Sequence, residues 1–130
     1  MMRTTLYRTL YAIGLASLLL GWQLPALAKS DITPAAAVKL VNHGAMLIDV
    51  RTVAEFNDGH IIGAQNMEYQ TIVQQLATLD VAKAHPIVLY CRSGRRASIA
   101  QQALQQAGYS AVANAGGYGE LKAPFAAKTK

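Results

Sequence analysis

The sequence has little of what usually reinforces a small fold or builds a metal centre. Its 130 residues contain one cysteine, so the chain cannot form an internal disulfide. Charged residues make up only 15% of the chain, and the three histidines stand apart from one another. No group of His, Cys, Asp and Glu has the spacing of metal ligands, and no basic run is interleaved with aromatic residues. The sequence therefore predicts no metal, no cofactor and no binding of nucleic acid.

The first 28 residues have the pattern of an export signal. Arg3 and Arg8 form a positively charged start, and the mostly apolar stretch from Thr9 to Trp22 carries no charge. Ala26-Leu27-Ala28 then provides an A-x-A cleavage motif. Cleavage there predicts a periplasmic protein. The alternative is that the uncharged run remains as a membrane anchor, because it extends over 20 residues to Ala28.

Residues 29–130 are predicted to form one domain, with its core at about residues 30–122. Without the leader, ten Lys and Arg face seven Asp and Glu, which lowers the net charge from +5 to +3. Three of those ten positive charges lie together at Arg92, Arg95 and Arg96. This local cluster predicts a site for a small anion and not a broad basic surface.

Predicted helices and strands alternate along the chain, which favours an α/β domain with a mostly parallel sheet. Ligands of such sheets bind beyond the carboxyl ends of the strands, which here are Asp49-Val50 and Tyr90-Cys91. The predicted elements are a helix from the Thr33-Pro34 cap to Asn42, a strand at 46–50, a short helix from Thr52 to about Gly59, a loop or short strand at 61–67, a helix at 71–79, a strand at 86–90, a helix at 97–106, a strand at 110–113, a Gly116-Gly117 turn, a helical turn at 118–122 and a frayed tail from Pro124.

Cys91 is predicted to lie in a turn between a buried strand and a helix. A helix start presents unpaired N–H groups and a partial positive charge, which favour a thiolate and hold an oxyanion beside it. Gly94 suits a loop that needs positive φ, and Ser93 is expected to donate to the sulfur or to cap the helix. The alternative is that Cys91 is only a small buried apolar residue.

Two segments carry a resemblance to a known family. Residues 49–66 contain D-V-R-x-x-x-E-F-x-x-G-H-I-x-G-A-x-N, and residues 91–96 contain C-R-S-G-x-R. Together they resemble the rhodanese (thiosulfate sulfurtransferase) homology domain, in its single-domain exported form. A late Gly116-Gly117 also fits, although Leu121 stands near where the family often has tryptophan. The resemblance implies a rhodanese-like fold, with helices on both faces of a mostly parallel sheet.

The resemblance implies a thiosulfate sulfurtransferase that works through a persulfide. Cys91 would take the outer sulfur of thiosulfate or a similar donor and pass it to a thiophilic acceptor such as cyanide or a thiol. Thiosulfate is a dianion, so the planar guanidinium groups of Arg92 and Arg96 are expected to bind its oxygens, together with the N–H groups of residues 93–96. Arg95 belongs to this substrate-binding set by its position in the segment, although its side chain is expected to face solvent.

The remaining candidates are expected to support the fold around the site. Asp49 and Arg51 are predicted to be structural, with Arg51 able to reach Glu55 four residues on. His60 is predicted to be a hydrogen-bonded structural histidine.

Two other function classes remain open. One is a persulfide carrier or thiol sensor without turnover, which docks on an exported thiol protein. The other is a phosphatase or arsenate reductase. It is disfavoured because relatives with those activities tend to carry a loop one residue longer than Cys91–Arg96.

Overall fold

The fold is a four-stranded parallel sheet between two pairs of longer helices. The structure is a computed structural model, and it describes residues 30–127. The predicted leader at 1–28 lies outside the described residues. Elements follow in the order α1 (Pro34–Asn42), β1 (Met46–Asp49), α2 (Val53–Asp58), β2 (Gln65–Asn66), α3 (Ile72–Thr78), β3 (Ile87–Cys91), α4 (Arg95–Gln106), β4 (Val112–Gly117) and α5 (Tyr118–Ala127).

The strand order is β2-β1-β3-β4, and every neighbouring pair is parallel. Because side chains alternate across a strand, the fully buried β3 divides its residues between two cores. Ile87, Leu89 and Cys91 pack on the side of α3 and α4. Val88 and Tyr90 pack on the side of α1 and α5. The predicted α/β fold with helices on both faces is confirmed.

Short-range signals set several helix ends as predicted. The Thr33 side chain accepts a hydrogen bond from the N–H of Ala36, and Pro34 opens α1. Thr52 and Glu55 form a reciprocal capping box at the start of α2, which ends at Gly59. These caps need only residues three apart in sequence, which is why the pattern predicts them well.

The carboxyl-terminal part of the chain differs from the prediction. The Gly116-Gly117 pair forms the end of β4 instead of a turn, and α5 runs through Pro124 to Ala127 instead of fraying. Leu121 and Phe125 lie one helical turn apart, and both are buried against α1. Pro124 has no backbone N–H, so one hydrogen bond of the helix is missing. Burial of the two apolar side chains stabilises the helix despite this loss.

Within residues 30–127, no helix is both long and apolar enough to cross a bilayer.

Candidate active site

Cys91 is the last residue of β3, a central strand of the sheet, and only 1% of its surface is exposed. Its Sγ accepts a hydrogen bond from the backbone N–H of Gly94 at 3.0 Å. Gly94 has φ of +94° and is the N-cap residue of α4, so the prediction of a positive φ there is confirmed. The sulfur thus lies at the carboxyl edge of the sheet and at the start of a helix.

The loop after Cys91 turns its long side chains outward. Arg92, Ser93 and Arg95 are exposed, as was expected for Arg95. The expectation that Ser93 caps α4 is wrong, because Gly94 occupies the N-cap position and the helix has no side-chain cap. The helix also begins at Arg95, two residues earlier than predicted, so Arg95 and Arg96 lie in its first turn.

Arg96 is held by a carboxylate from another helix. Its Nη1 and Nη2 donate to Oε1 and Oε2 of Glu55 at 2.7 and 2.9 Å, which is a two-bond pair across 41 residues of sequence. These hydrogen bonds from Arg96 lower the pKa of Glu55 from its ordinary value of 4.5 to about 2, although burial opposes the shift. The pKa of Arg96 is raised, first by Glu55 and then by the nearby Cys91. Arg96 is therefore a fixed positive charge within electrostatic reach of the sulfur.

Arg51 pairs with Asp49, and the expectation that it reaches Glu55 is wrong. The Nη2 of Arg51 lies 2.7 Å from Oδ2 of Asp49, and both side chains are almost completely buried. The same Nη2 donates to the carbonyl of Gly59 at 2.6 Å. Burial alone would lower the pKa of Arg51, but the Asp49 carboxylate raises it. Because the carboxylate of Glu55 pairs with Arg96, it does not form the ion pair with Arg51 that the four-residue spacing predicted.

Hydrogen bonds with other polar groups hold His60 and Ile61 in the segment that follows α2. The buried hydroxyl of Tyr90 accepts a hydrogen bond from the N–H of Ile61 at 3.0 Å, and burial raises the pKa of Tyr90. Nδ1 of His60 lies 2.8 Å from the carbonyl of Phe56, and the two rings stack. The His60 ring is thus held by a hydrogen bond and a stacking contact with Phe56, four residues earlier.

Two residues of β4 border the active loop at residues 91–96: Gly117, which was predicted to lie in a turn, and Asn114, which the sequence analysis did not single out. A Cβ on Gly117 would lie 2.6 Å from the carbonyl oxygen of Arg92, so the strand meets the loop at backbone distance. The side chain of Asn114 donates to the carbonyl of Gly94 at 2.9 Å. A polar residue between the apolar Val112 and Ala115 was the only signal for Asn114 in the sequence.

The carboxyl edge of the sheet therefore carries a cysteine, the start of a helix, and three arginines at positions 92, 95 and 96, of which the last two lie in the first turn of that helix. The sequence profile described as the Rhodanese-like domain matches residues 33–123, which include this loop and both signature segments. The chain belongs to the rhodanese-like domain family.

Rhodanese relatives with named activities support this assignment. The chain is 32% identical over 77 residues to thiosulfate sulfurtransferase PspE of Escherichia coli K12, a match covering 59% of this chain and 74% of the relative. It is 30% identical over 90 residues to thiosulfate sulfurtransferase GlpE of Stutzerimonas stutzeri A1501, covering 69% and 81%. These relatives support rhodanese-type sulfur transfer.

A solved rhodanese has the same fold. The structure described as rhodanese with anions from E. coli superposes with a TM-score of 0.56 and 31% identity. The match covers 59% of this chain and 91% of that one. The rhodanese fold predicted from the signature segments is confirmed.

Proposed function

We propose that this protein is a thiosulfate sulfurtransferase that carries sulfane sulfur on Cys91. The observation that carries the proposal is the hydrogen bond from the Gly94 N–H to Sγ, at the start of a helix and beside three arginines, Arg92 in the loop and Arg95 and Arg96 in the first helical turn. A backbone N–H and a helix start both stabilise a sulfur anion, whether thiolate or persulfide. The names of the PspE and GlpE relatives point to the same reaction.

The proposed reaction has two balanced steps. The Cys91 thiolate attacks the outer sulfur of thiosulfate, a new S–S bond forms, and sulfite leaves with the electron pair of the old one. The outer sulfur of the persulfide is then attacked by an acceptor such as cyanide or a thiol. The Cys91 thiolate leaves, and thiocyanate or a new persulfide is released. Neither step needs an external oxidant or reductant.

The three arginines near Cys91 are proposed to contribute differently to binding of the donor. Arg92 is exposed and has no ion pair among residues 30–127, so its guanidinium is available to the oxygens of thiosulfate. Arg96 supplies a second positive charge, whose orientation is set by Glu55. Arg95 is exposed as well and is proposed to contribute little. A planar guanidinium binds such oxygens through paired N–H donors.

The test is a thiocyanate assay with the protein from residue 29 onward, thiosulfate as donor and cyanide as acceptor. Wild type is expected to turn over many times, and Cys91→Ser is expected to be inactive. Because Cys91 is the only cysteine, a mass gain of about 32 Da after thiosulfate treatment, roughly one sulfur atom, reports the persulfide at that residue. Absence of turnover in wild type, or unchanged turnover in Cys91→Ser, would defeat the proposal. The mass gain without turnover would instead support the carrier hypothesis, in which the acceptor is an exported thiol protein.

The proposed location is the periplasm, and it rests on the sequence of the leader. Cell fractionation with intact-mass measurement tests it, because cleavage after Ala28 predicts a periplasmic chain that begins at Lys29. A full-length chain recovered from the membrane would support the anchor alternative.

A further inference from the structure

The side chain of Asn114 connects β4 to the loop that holds the sulfur. It is 1% exposed, and both ends of its amide are used. Nδ2 donates to the carbonyl of Gly94 at 2.9 Å, and Oδ1 accepts from the N–H of Gly116 at 2.9 Å. Rotation of the amide by half a turn would set donor against donor and acceptor against acceptor. The orientation of the side chain is therefore fixed.

Gly94 needs such an external constraint. Its N–H points at Sγ of Cys91, while its carbonyl receives the Asn114 amide and the N–H of Ser98. Glycine has a wider range of φ and ψ than any other residue, so a glycine between two functional groups does not hold its N–H direction unaided. The bond from Asn114 lies on the carbonyl side of the same residue whose N–H reaches the sulfur.

Asn114 is itself anchored from the opposite side. Its backbone N–H donates to Oδ1 of Asp31 at 2.7 Å, and its carbonyl accepts from the N–H of Asp31 at 3.0 Å. Three contacts thus run in series from Asp31 through Asn114 and Gly94 to Cys91. The hydrogen bonds of the Asn114 side chain go to Gly94 and Gly116 and not to the sulfur itself.

We propose that Asn114 is a positioning residue, which keeps the Gly94 N–H aimed at the sulfur of Cys91. The inference rests on the proposed function, since it assigns Asn114 to the chemistry of that sulfur. A hydrogen bond to an anion favours the anion, so loss of the alignment disfavours ionised sulfur.

The experiment measures the rate at which iodoacetamide alkylates Cys91 as a function of pH, in wild type and Asn114→Ala. On the rising part of the pH profile the variant is expected to react about tenfold more slowly than wild type, as for partial loss of a hydrogen bond to a charged group. Its rate profile is expected to move to higher pH by roughly one unit and to reach the same alkaline plateau. If Asn114→Ala does not fold, the same measurement is made on Asn114→Leu, which fills a similar volume without a polar atom.

Gln75→Ala is the control. The Gln75 amide also donates a side-chain hydrogen bond, to Oγ1 of Thr71 at 2.7 Å, but this bond lies at the start of α3 and involves neither Asp31, Asn114 nor Gly94. Its pH profile is expected to coincide with that of wild type. A folded Asn114 variant whose profile also coincides with wild type would overturn the inference. Alkylation needs no sulfur donor, so a wild type inactive toward thiosulfate would defeat the proposed function and leave this test intact.

Discussion

At the residue scale, the site is a single sulfur with a backbone donor on one side and fixed charge on another. Gly94 provides the N–H at 3.0 Å, and Arg96 lies within electrostatic reach. The three arginines near Cys91 have the same side chain, but their surroundings in the structure differ. Only Arg96 has a carboxylate partner among residues 30–127, whereas Arg92 and Arg95 remain exposed. Their contributions to donor binding should therefore be separable.

Arg92→Ala and Arg96→Ala are each expected to raise KM for thiosulfate about tenfold, because each removes a positive charge from the anion site. Steady-state kinetics of the purified variants provides the measurement. Arg95→Ala is the matched control and is expected to change KM less than twofold, a cutoff of roughly 0.4 kcal/mol. Should Arg95→Ala alone raise KM, the binding role would belong to Arg95.

At the element scale, the end of β4 and the active loop meet without side chains between them. The register of β4 against β3 shifts between Leu89 and Cys91, so that Gly117 comes to face Cys91. Only a glycine lets the carbonyl of Arg92 approach the strand at this point. Close contact of backbone with backbone fixes the base of the loop.

Gly117→Ala is expected to displace the Arg92 carbonyl, to lower the free energy of unfolding by about 1–3 kcal/mol and to reduce thiocyanate formation. Urea denaturation and the thiocyanate assay measure both effects. Gly119→Ala is the matched control, because a Cβ there meets nothing within 4 Å and the residue lies in α5. Alanine is the better helix former, so Gly119→Ala should keep activity and gain up to about 1 kcal/mol. Wild-type stability and activity in Gly117→Ala would show that the loop does not depend on this approach.

At the scale of the whole molecule, the Glu55–Arg96 pair ties the first signature segment to the active loop. Arg96 holds the pKa of Glu55 down at about 2, below its ordinary 4.5. A lowered folded-state pKa means that the pair stabilises the fold fully above about pH 4.5. This contribution is lost as pH falls toward 2.

Glu55→Gln is expected to lower the free energy of unfolding at pH 7 by less than about 1 kcal/mol, since the two side chains are 32% and 25% exposed. Glutamine still serves the capping box, so the variant removes the ion pair alone. Urea denaturation between pH 7 and pH 2 should show the difference from wild type shrinking below pH 4.5. The control is Glu68→Gln, because Glu68 accepts a hydrogen bond from Val53 without an ion pair among residues 30–127. A difference that stays constant with pH would contradict the assignment.

The amino-acid sequence alone determined what depends on neighbours along the chain. The Thr33 cap, the capping box at Thr52, the apolar run of β3 and the positive φ at Gly94 are local, because each requires atoms only a few residues apart. The α/β class followed from the alternation of these elements, and the two signature segments gave the family.

Only the tertiary structure decided which distant groups meet. The four-residue spacing predicted Arg51 as the partner of Glu55. The fold brings Glu55 to Arg96 instead, because α2 follows β1 and α4 follows β3, and these two parallel strands are neighbours in the sheet. Asn114 had no local signal of function, since its partner Gly94 lies 20 residues away on a neighbouring element. The extension of α5 past Pro124 likewise depends on burial against α1. Sequence patterns report short-range preferences, whereas long-range contacts depend on how the elements pack.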